Sequence, residues 1–111
     1  MVLVINNGVL PPWRILLKTQ IRLKSRNWRD RFDALRSSCT GYCNRGDVRK
    51  YIFERDGYKC SICGATEHLE IDHIESVYKV AKHNMDWTHL NDASNLRVLC
   101  RKCNLHRNPE E

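Results

Sequence analysis

The sequence has no long hydrophobic run, no low-complexity segment and no internal repeat beyond two cysteine pairs. No stretch approaches the roughly 20 apolar residues of a membrane-spanning helix, so we expect no membrane partner. The opening MVLVINNGVL lacks a basic region, and PPWR follows it in place of a cleavage site, so no signal peptide is predicted. We therefore expect a cytoplasmic protein whose six cysteines stay reduced, a setting that favours metal binding over disulfides.

The net charge of +6 is concentrated in one part of the chain. Residues 14–36 carry eight basic and two acidic side chains, whereas the other residues carry eleven of each sign. A polyanion is the natural partner of such a segment, and nucleic acid is the commonest polyanion inside a cell. Charge alone leaves open the alternative of a solvated basic helix without a specific partner.

With 111 residues, the chain is long enough for one small domain with an appendage. A core of this size usually needs support from a metal or from disulfides. Two prolines, Pro11 and Pro12, predict an N-terminal arm over residues 1–12. Apolar residues near helical spacing predict a basic helical segment over residues 13–46.

The helical segment divides into shorter elements. The pattern predicts one helix over residues 13–24 and a second helix capped by Asn27, with Trp28, Phe32 and Leu35 packing into the core. SSCTGYCNRGD, residues 37–47, predicts a loop. Asp47 is expected to cap a third helix, which stops at residues 56–57.

Two cysteine pairs share the spacing C-x2-C: Cys60 with Cys63, and Cys100 with Cys103. Each tight turn lets two thiolates reach one ion, and two such turns complete a tetrahedral, four-cysteine Zn²⁺ site. A site of this kind is closed and does no chemistry, so the predicted zinc clamps the structure. Two redox pairs or two disulfides are the alternatives.

Cys39 and Cys43 have the spacing C-x3-C. They are interpreted as free thiols, but they could supply half of a second metal site. His83 or His89 would then supply the other half.

The stretch EIDHIES, residues 70–76, places Asp72 and His73 side by side in a predicted strand. Regular alternation would send the two side chains to opposite faces, which would count against a shared site. We therefore expect the strand to bend or end there, so that both side chains enter one cleft.

The linked pattern RDGYKCSICG…LEIDHI…SNLRVLCRKCNLHR resembles the HNH endonuclease family in its zinc-knuckle form. The match runs from about Asp47 to Arg107. The resemblance implies an α+β fold with a ββα-metal (His-Me finger) core, clamped by the four-cysteine zinc site and preceded by basic α-helices. It implies a nuclease domain over residues 47–107 and a tail over residues 108–111.

The resemblance also implies a role for each motif residue. His73 would be the general base that activates water, and Asp72 and Asn104 would hold a catalytic divalent cation, Mg²⁺ or Mn²⁺, with Ni²⁺ or Zn²⁺ as further options. Asn95 would hold the loop and orient the histidine. The motif departs from the commoner pattern at Asn104, where many members have histidine. His106 lies about 200° further round a helix, away from the face of Asn104.

The function implied is metal-dependent hydrolysis of DNA phosphodiester bonds. Four basic residues near the second knuckle are suited to DNA phosphates: Arg97, Arg101, Lys102 and Arg107. No segment resembles a base-reading helix, so we expect low sequence specificity. The chain could act as a monomer or as a homodimer.

Two other functions remain open. The first is a non-catalytic zinc-ribbon module that binds nucleic acid or a protein partner, and the second is a redox protein that uses its C-x2-C pairs. Taken singly, Asp72 could be a turn former, His73 a core histidine and Asn95 an ordinary turn residue.

Overall fold

The computed structural model describes residues 10–111. The mixed α+β class is confirmed, because helices surround a small antiparallel sheet of two strands. Residues 1–9 of the predicted arm lie outside the described residues. The elements in chain order are α1 (Leu17–Arg22), α2 (Trp28–Cys43), α3 (Gly46–Arg55), β1 (Leu69–His73), α4 (Val77–Lys82), β2 (Leu96–Cys100) and α5 (Arg101–His106), with a short 3₁₀ turn at Ala93–Asn95 before β2.

Helix α2 begins as the sequence predicts. The Asn27 side chain accepts a hydrogen bond from the backbone N–H of Arg29 at 3.0 Å, which satisfies one of the free donors at the helix start. Leu35 is fully buried, and Phe32 packs against the same cluster. Trp28 packs against Phe32 and Tyr78, so this stripe is part of the core.

The predicted loop over residues 37–47 is wrong, because α2 continues through Cys43. Three side chains in this stretch, Cys39, Tyr42 and Cys43, are buried at helical spacing. Their burial outweighs the low helix propensity of Gly41.

The first and third helices also differ from the prediction. Helix α1 covers only residues 17–22 and buries none of its side chains. Trp13 lies outside it, packing edge-to-face on Trp87 and donating to Ser38 Oγ at 3.3 Å. Helix α3 begins at Gly46, so Asp47 lies in the first turn and does not cap the helix.

The sheet brings the two halves of the metal motif together. In its antiparallel register Leu69 lies opposite Cys100, and Asp72 lies opposite Arg97. Leu69 and Ile71 pack against the cluster that contains α3 and β2 residues, including Val48, Ile52 and Val98. A second cluster joins α2 to α4, and a third surrounds the cysteine pairs.

One arginine of the basic segment is structural. Arg31 is buried and donates to the backbone oxygens of Ala81 and Ser25. It ties α2 to the end of α4, so its charge is not available at the surface. Within residues 10–111, no helix has the length and hydrophobicity needed to cross a membrane.

The packing predicts where a truncation is costly. Ile52 is 0 % exposed, whereas Ile21 on α1 is 63 % exposed. In zinc-loaded protein, Ile52→Ala should lower the free energy of unfolding by about 2–5 kcal/mol because it leaves a cavity. Ile21→Ala should change it by no more than about 0.5 kcal/mol. Urea unfolding followed by circular dichroism measures both, and equal losses would contradict the core assigned to α3.

Candidate functional site

The four cysteines of the C-x2-C pairs form one cluster. Their sulfur atoms all lie within 4.8 Å of one another, and Cys63 Sγ is 3.7 Å from Cys100 Sγ. A tetrahedral Zn²⁺ with bonds of about 2.3 Å requires sulfur atoms about 3.8 Å apart, far longer than a disulfide bond of about 2.05 Å. The cluster therefore fits a structural zinc site.

Backbone N–H groups point at these sulfurs. Ile62 and Cys63 donate to Cys60 Sγ at 3.4 and 3.5 Å, and Cys103 donates to Cys100 Sγ at 3.4 Å. Burial acts to raise the pKa of the Cys60 thiol, but hydrogen bonds from backbone N–H groups lower it by a larger amount. The resulting pKa is about 6. Hydrogen bonding to Cys100 raises the pKa of the Cys103 thiol to about 12. Four sulfurs this close cannot all be thiolates without a cation between them, which is the charge that Zn²⁺ supplies.

A cleft of about 700 Å³ lies beside the sheet. One wall comes from β1 and from Asn104 of α5, and the facing wall comes from α2 and α3. Asp72, His73 and Asn104 all line it. The structure thus brings three of the four predicted motif residues to one cavity.

Asp72 is buried and paired with two arginines. Its Oδ2 accepts from Arg97 Nε at 3.0 Å and from Arg107 Nη1 at 3.0 Å, and its Oδ1 accepts from Arg107 Nη1 at 3.2 Å. A carboxylate has about four lone-pair positions, so about one, on Oδ1, is left for another partner.

His73 is half-buried on the other face of the strand. Its Nε2 lies 2.7 Å from Asn91 Oδ1 and 3.9 Å from Cys43 Sγ. Burial lowers the pKa of His73, while Asn91 and Asp72 oppose that shift and Arg107 adds to it. The imidazole is therefore held in its neutral form at neutral pH.

The strand is regular through both residues. Asp72 pairs with Arg97 and His73 pairs with Leu96, and β1 ends at His73. Of the two expected possibilities, a bend or an end of the strand at Asp72–His73, the structure has the second, because β1 stops at His73. Asp72 and His73 both line the cleft, which lies beside β1, a strand that pairs only with β2 within residues 10–111.

Asn95 does not line the cleft but holds the chain next to it. Its Oδ1 accepts from the backbone N–H of Glu75 at 2.8 Å, and its Nδ2 donates to the backbone oxygens of Leu90 and Glu75. Its own backbone oxygen accepts from Ile74 N–H at 2.8 Å. These bonds fix the turn that follows His73.

Asn104 is oriented by a carboxylate that the sequence reasoning missed. Its Nδ2 donates to Glu70 Oε1 at 2.7 Å, which leaves Oδ1 as the end of the amide with a free acceptor position. Glu70 lies two residues before Asp72 and hence on the same face of β1. The spacing of two residues between Glu70 and Asp72 in EIDHIES is the sequence feature that places Glu70 on the cleft side of the strand. For Asn91 no sequence signal existed.

His106 is not part of the cleft. Its ring Nδ1 contacts the Lys102 backbone oxygen at 2.7 Å, and the side chain is exposed.

The predicted DNA-contacting residues are mostly engaged within the protein. Arg97 and Arg107 pair with Asp72, and Arg101 pairs with Glu70 at 3.5 Å. Arg107 also donates to the backbone oxygens of His73 and Ile74. Lys102 is exposed on α5, outside the cleft.

No second cluster of metal-ligating side chains forms around Cys39 and Cys43 in the part of the chain that the structure describes. His83 pairs with Glu110, and His89 pairs with Glu75. Burial raises the pKa of Cys39 to about 12 and that of Cys43 to about 11, so both remain protonated thiols.

Comparison with known proteins gives one match. Residues 60–110 match the family model described as HNH endonuclease. Neither the curated proteins nor the solved structures yield a match to the chain. The matched residues include both cysteine pairs together with Asp72, His73, Asn95 and Asn104.

The zinc cluster can be tested by metal content. Purified protein should hold one zinc ion per chain, and Cys63→Ala should lose it and much of its folded structure, because the site clamps a small core. Cys39→Ala, which removes a buried thiol outside the cluster, should keep the zinc. Atomic emission after gel filtration measures the metal. Full zinc occupancy in Cys63→Ala would contradict the four-cysteine assignment.

Proposed function

We propose that the protein is a metal-dependent DNA endonuclease, starting from the match of residues 60–110 to the family model described as HNH endonuclease. The observation that carries the proposal is the convergence of Asp72, His73 and Asn104 on one cleft. We assign the nuclease domain to residues 47–107, after a basic helical segment at residues 13–46. Since α2 and α3 form one cleft wall, the segment and the domain make up the site together.

His73 is proposed as the general base. Asn91 Oδ1 can only accept a hydrogen bond, so His73 Nε2 carries the ring proton and Nδ1 keeps its lone pair. A neutral imidazole with a free lone pair can take the proton from an attacking water. Asn95 is proposed to support this geometry by holding the turn after His73.

Asp72 and Asn104 are proposed to hold the catalytic divalent cation. Both offer hard oxygen donors, the type that Mg²⁺ and Mn²⁺ prefer. Asp72 Oδ1 keeps about one open lone-pair position, and the bond from Asn104 Nδ2 to Glu70 leaves Asn104 Oδ1 free. Two protein ligands are enough for Mg²⁺ when water and substrate phosphate complete its coordination.

The guanidiniums of Arg97 and Arg107 next to Asp72 predict weak cation binding in the absence of DNA, because like charges repel. A bound divalent cation would supply the positive charge that stabilises the scissile phosphate and the leaving 3′ oxygen. Asp72, held in place by its two arginines, and Asn104, held by Glu70, contribute by fixing their ligand atoms before DNA arrives.

The proposal predicts cleavage of supercoiled plasmid in Mg²⁺ or Mn²⁺. His73→Ala should slow cleavage by about 100-fold or more, the usual contribution of a general base, while keeping its zinc. His83→Ala is the matched control, because His83 pairs with Glu110 on the surface and should leave the rate unchanged. Gel electrophoresis of the plasmid follows nicking over time.

Two results would refute the enzymatic proposal: a plasmid left intact with Mg²⁺, Mn²⁺ and Ni²⁺, or equal cleavage by zinc-loaded His73→Ala. DNA binding without cleavage would then favour the non-catalytic zinc-ribbon module. In that case the Asp72 carboxylate, which is paired with Arg97 and Arg107, would have only a structural role.

Cation binding can be measured without cleavage. Asn104→Ala should weaken Mn²⁺ binding by about tenfold or more. It removes a proposed ligand oxygen, and losing even a group that orients a ligand typically costs about tenfold in metal affinity. Asn108→Ala is the control, because Asn108 lies beyond α5 and does not line the cleft, and its side-chain oxygen accepts from the backbone N–H of Glu110. Electron paramagnetic resonance reports free Mn²⁺ directly. Equal affinities in the two variants would remove Asn104 from the metal site.

A further inference from the structure

The wall of the cleft that faces β1 is basic, and it lies outside the residues that match the family model. Arg36 on α2 and Arg49 on α3 line the same cavity as Asp72, His73 and Asn104. Both precede residue 60, where the family match begins. The family motif therefore assigns them no role.

Within the described part of the chain, Arg36 and Arg49 differ from the arginines next to the cleft in having no carboxylate partner. Arg97, Arg101 and Arg107 each pair with Asp72 or Glu70. Among residues 10–111, neither Arg36 nor Arg49 forms an ion pair. Their guanidiniums are the ones left to meet an anion that enters the cavity.

Arg49 lines the same cavity as the proposed base, His73. Its guanidinium carbon lies 4.8 Å from the centre of the Phe53 ring, which holds the side chain on the surface of α3. Burial raises the pKa of Cys43, and the positive charge of Arg49 opposes that rise. Cys43 Sγ is 3.9 Å from His73 Nε2, and Arg49, Cys43 and His73 all line the same cavity.

The charge balance of the cavity favours an anion. The cavity lining contains two guanidinium groups, Arg36 and Arg49, and two carboxylates, Glu70 and Asp72. The two carboxylates already pair with arginines outside the lining, which are Arg97, Arg101 and Arg107. The excess positive charge belongs to the α2–α3 wall, across the cleft from the groups proposed to react. Guanidinium groups bind phosphate through paired hydrogen bonds.

We propose that Arg36 and Arg49 form a phosphate-binding pair that holds the sugar-phosphate backbone of DNA in the cleft, opposite β1. The proposal rests on the proposed function for the identity of the polyanion. It gives Arg36 of the basic helical segment and Arg49 of the adjoining helix α3 a specific task, which is to hold one DNA strand so that a phosphate lies between α2–α3 and His73. Contacts of this kind position the nucleic acid without reading its bases.

The test is DNA binding in the absence of added divalent cation, with a fluorescein-labelled duplex and fluorescence anisotropy. The double variant Arg36→Gln/Arg49→Gln should bind about tenfold or more weakly at about 0.1 M salt. Its plot of log affinity against log salt should be shallower by about 1.8, the value for two lost phosphate contacts.

The matched control is Arg26→Gln/Lys50→Gln. It removes the same charge from exposed positions before α2 and on α3 that do not line the cavity. It should bind much more tightly than the cleft variant. Equal affinity and equal salt slope in the two double variants would overturn the proposal, because the effect would then be one of net charge.

A third variant guards against misfolding. Arg36→Lys/Arg49→Lys keeps both charges and should keep most of the salt slope while losing the paired hydrogen bonds. Zinc content and circular dichroism should match the wild type in all variants. A salt slope in the lysine variant as shallow as that of the glutamine variant would refute the phosphate pair.

The outcomes separate this inference from the proposed hydrolysis. If the wild type cuts no plasmid, and Arg36→Gln/Arg49→Gln loses DNA affinity while Arg26→Gln/Lys50→Gln does not, the hydrolysis proposal fails and the phosphate pair stands. If the wild type cuts plasmid and both double variants bind equally, the phosphate pair fails and hydrolysis stands.

Discussion

The convergence of four cysteine sulfurs at one end of the sheet is the constraint on which the site depends. Cys100 ends β2, and its sulfur accepts the N–H of Cys103, so the same residue sets the start of α5. Opposite it in the register stands Leu69, the first residue of β1. A cation bound among the sulfurs would therefore hold both the strand that carries Asp72 and His73 and the helix that carries Asn104. A core this small has little else with which to hold them.

The buried carboxylate of Asp72 determines which arginines near the cleft are already paired. A buried charge is costly unless it is paired, and Asp72 has two arginine partners. These two arginines are among the residues that the sequence predicts to contact DNA phosphates. Folding thus engages Arg97 and Arg107 inside the protein, and the cavity-lining arginines that form no ion pair within residues 10–111 come from α2 and α3 instead.

The errors in the predicted elements have one cause, which is burial. Residues 37–43 look like a loop because they are rich in serine, threonine and glycine, yet Cys39, Tyr42 and Cys43 pack into the core and keep the helix intact. Residues 13–24 look like a helix, but their apolar side chains Leu16, Leu17 and Ile21 are exposed, and only six residues remain helical. Local preference is a weak guide wherever tertiary packing opposes it.

The sequence by itself determined the four-cysteine cluster, the α+β class and the similarity of residues 60–110 to the HNH endonuclease family model, because ligand spacing and motif order are local properties of the chain. It also indicated which side chains to examine, including Asp72, His73 and Asn104. Only the tertiary structure decided that Asp72 is held by two arginines, that Glu70 orients Asn104 and that Asn91 contacts His73. These contacts join residues from 18 to 35 positions apart, and spacing cannot predict them, because they depend on how strands and helices pack.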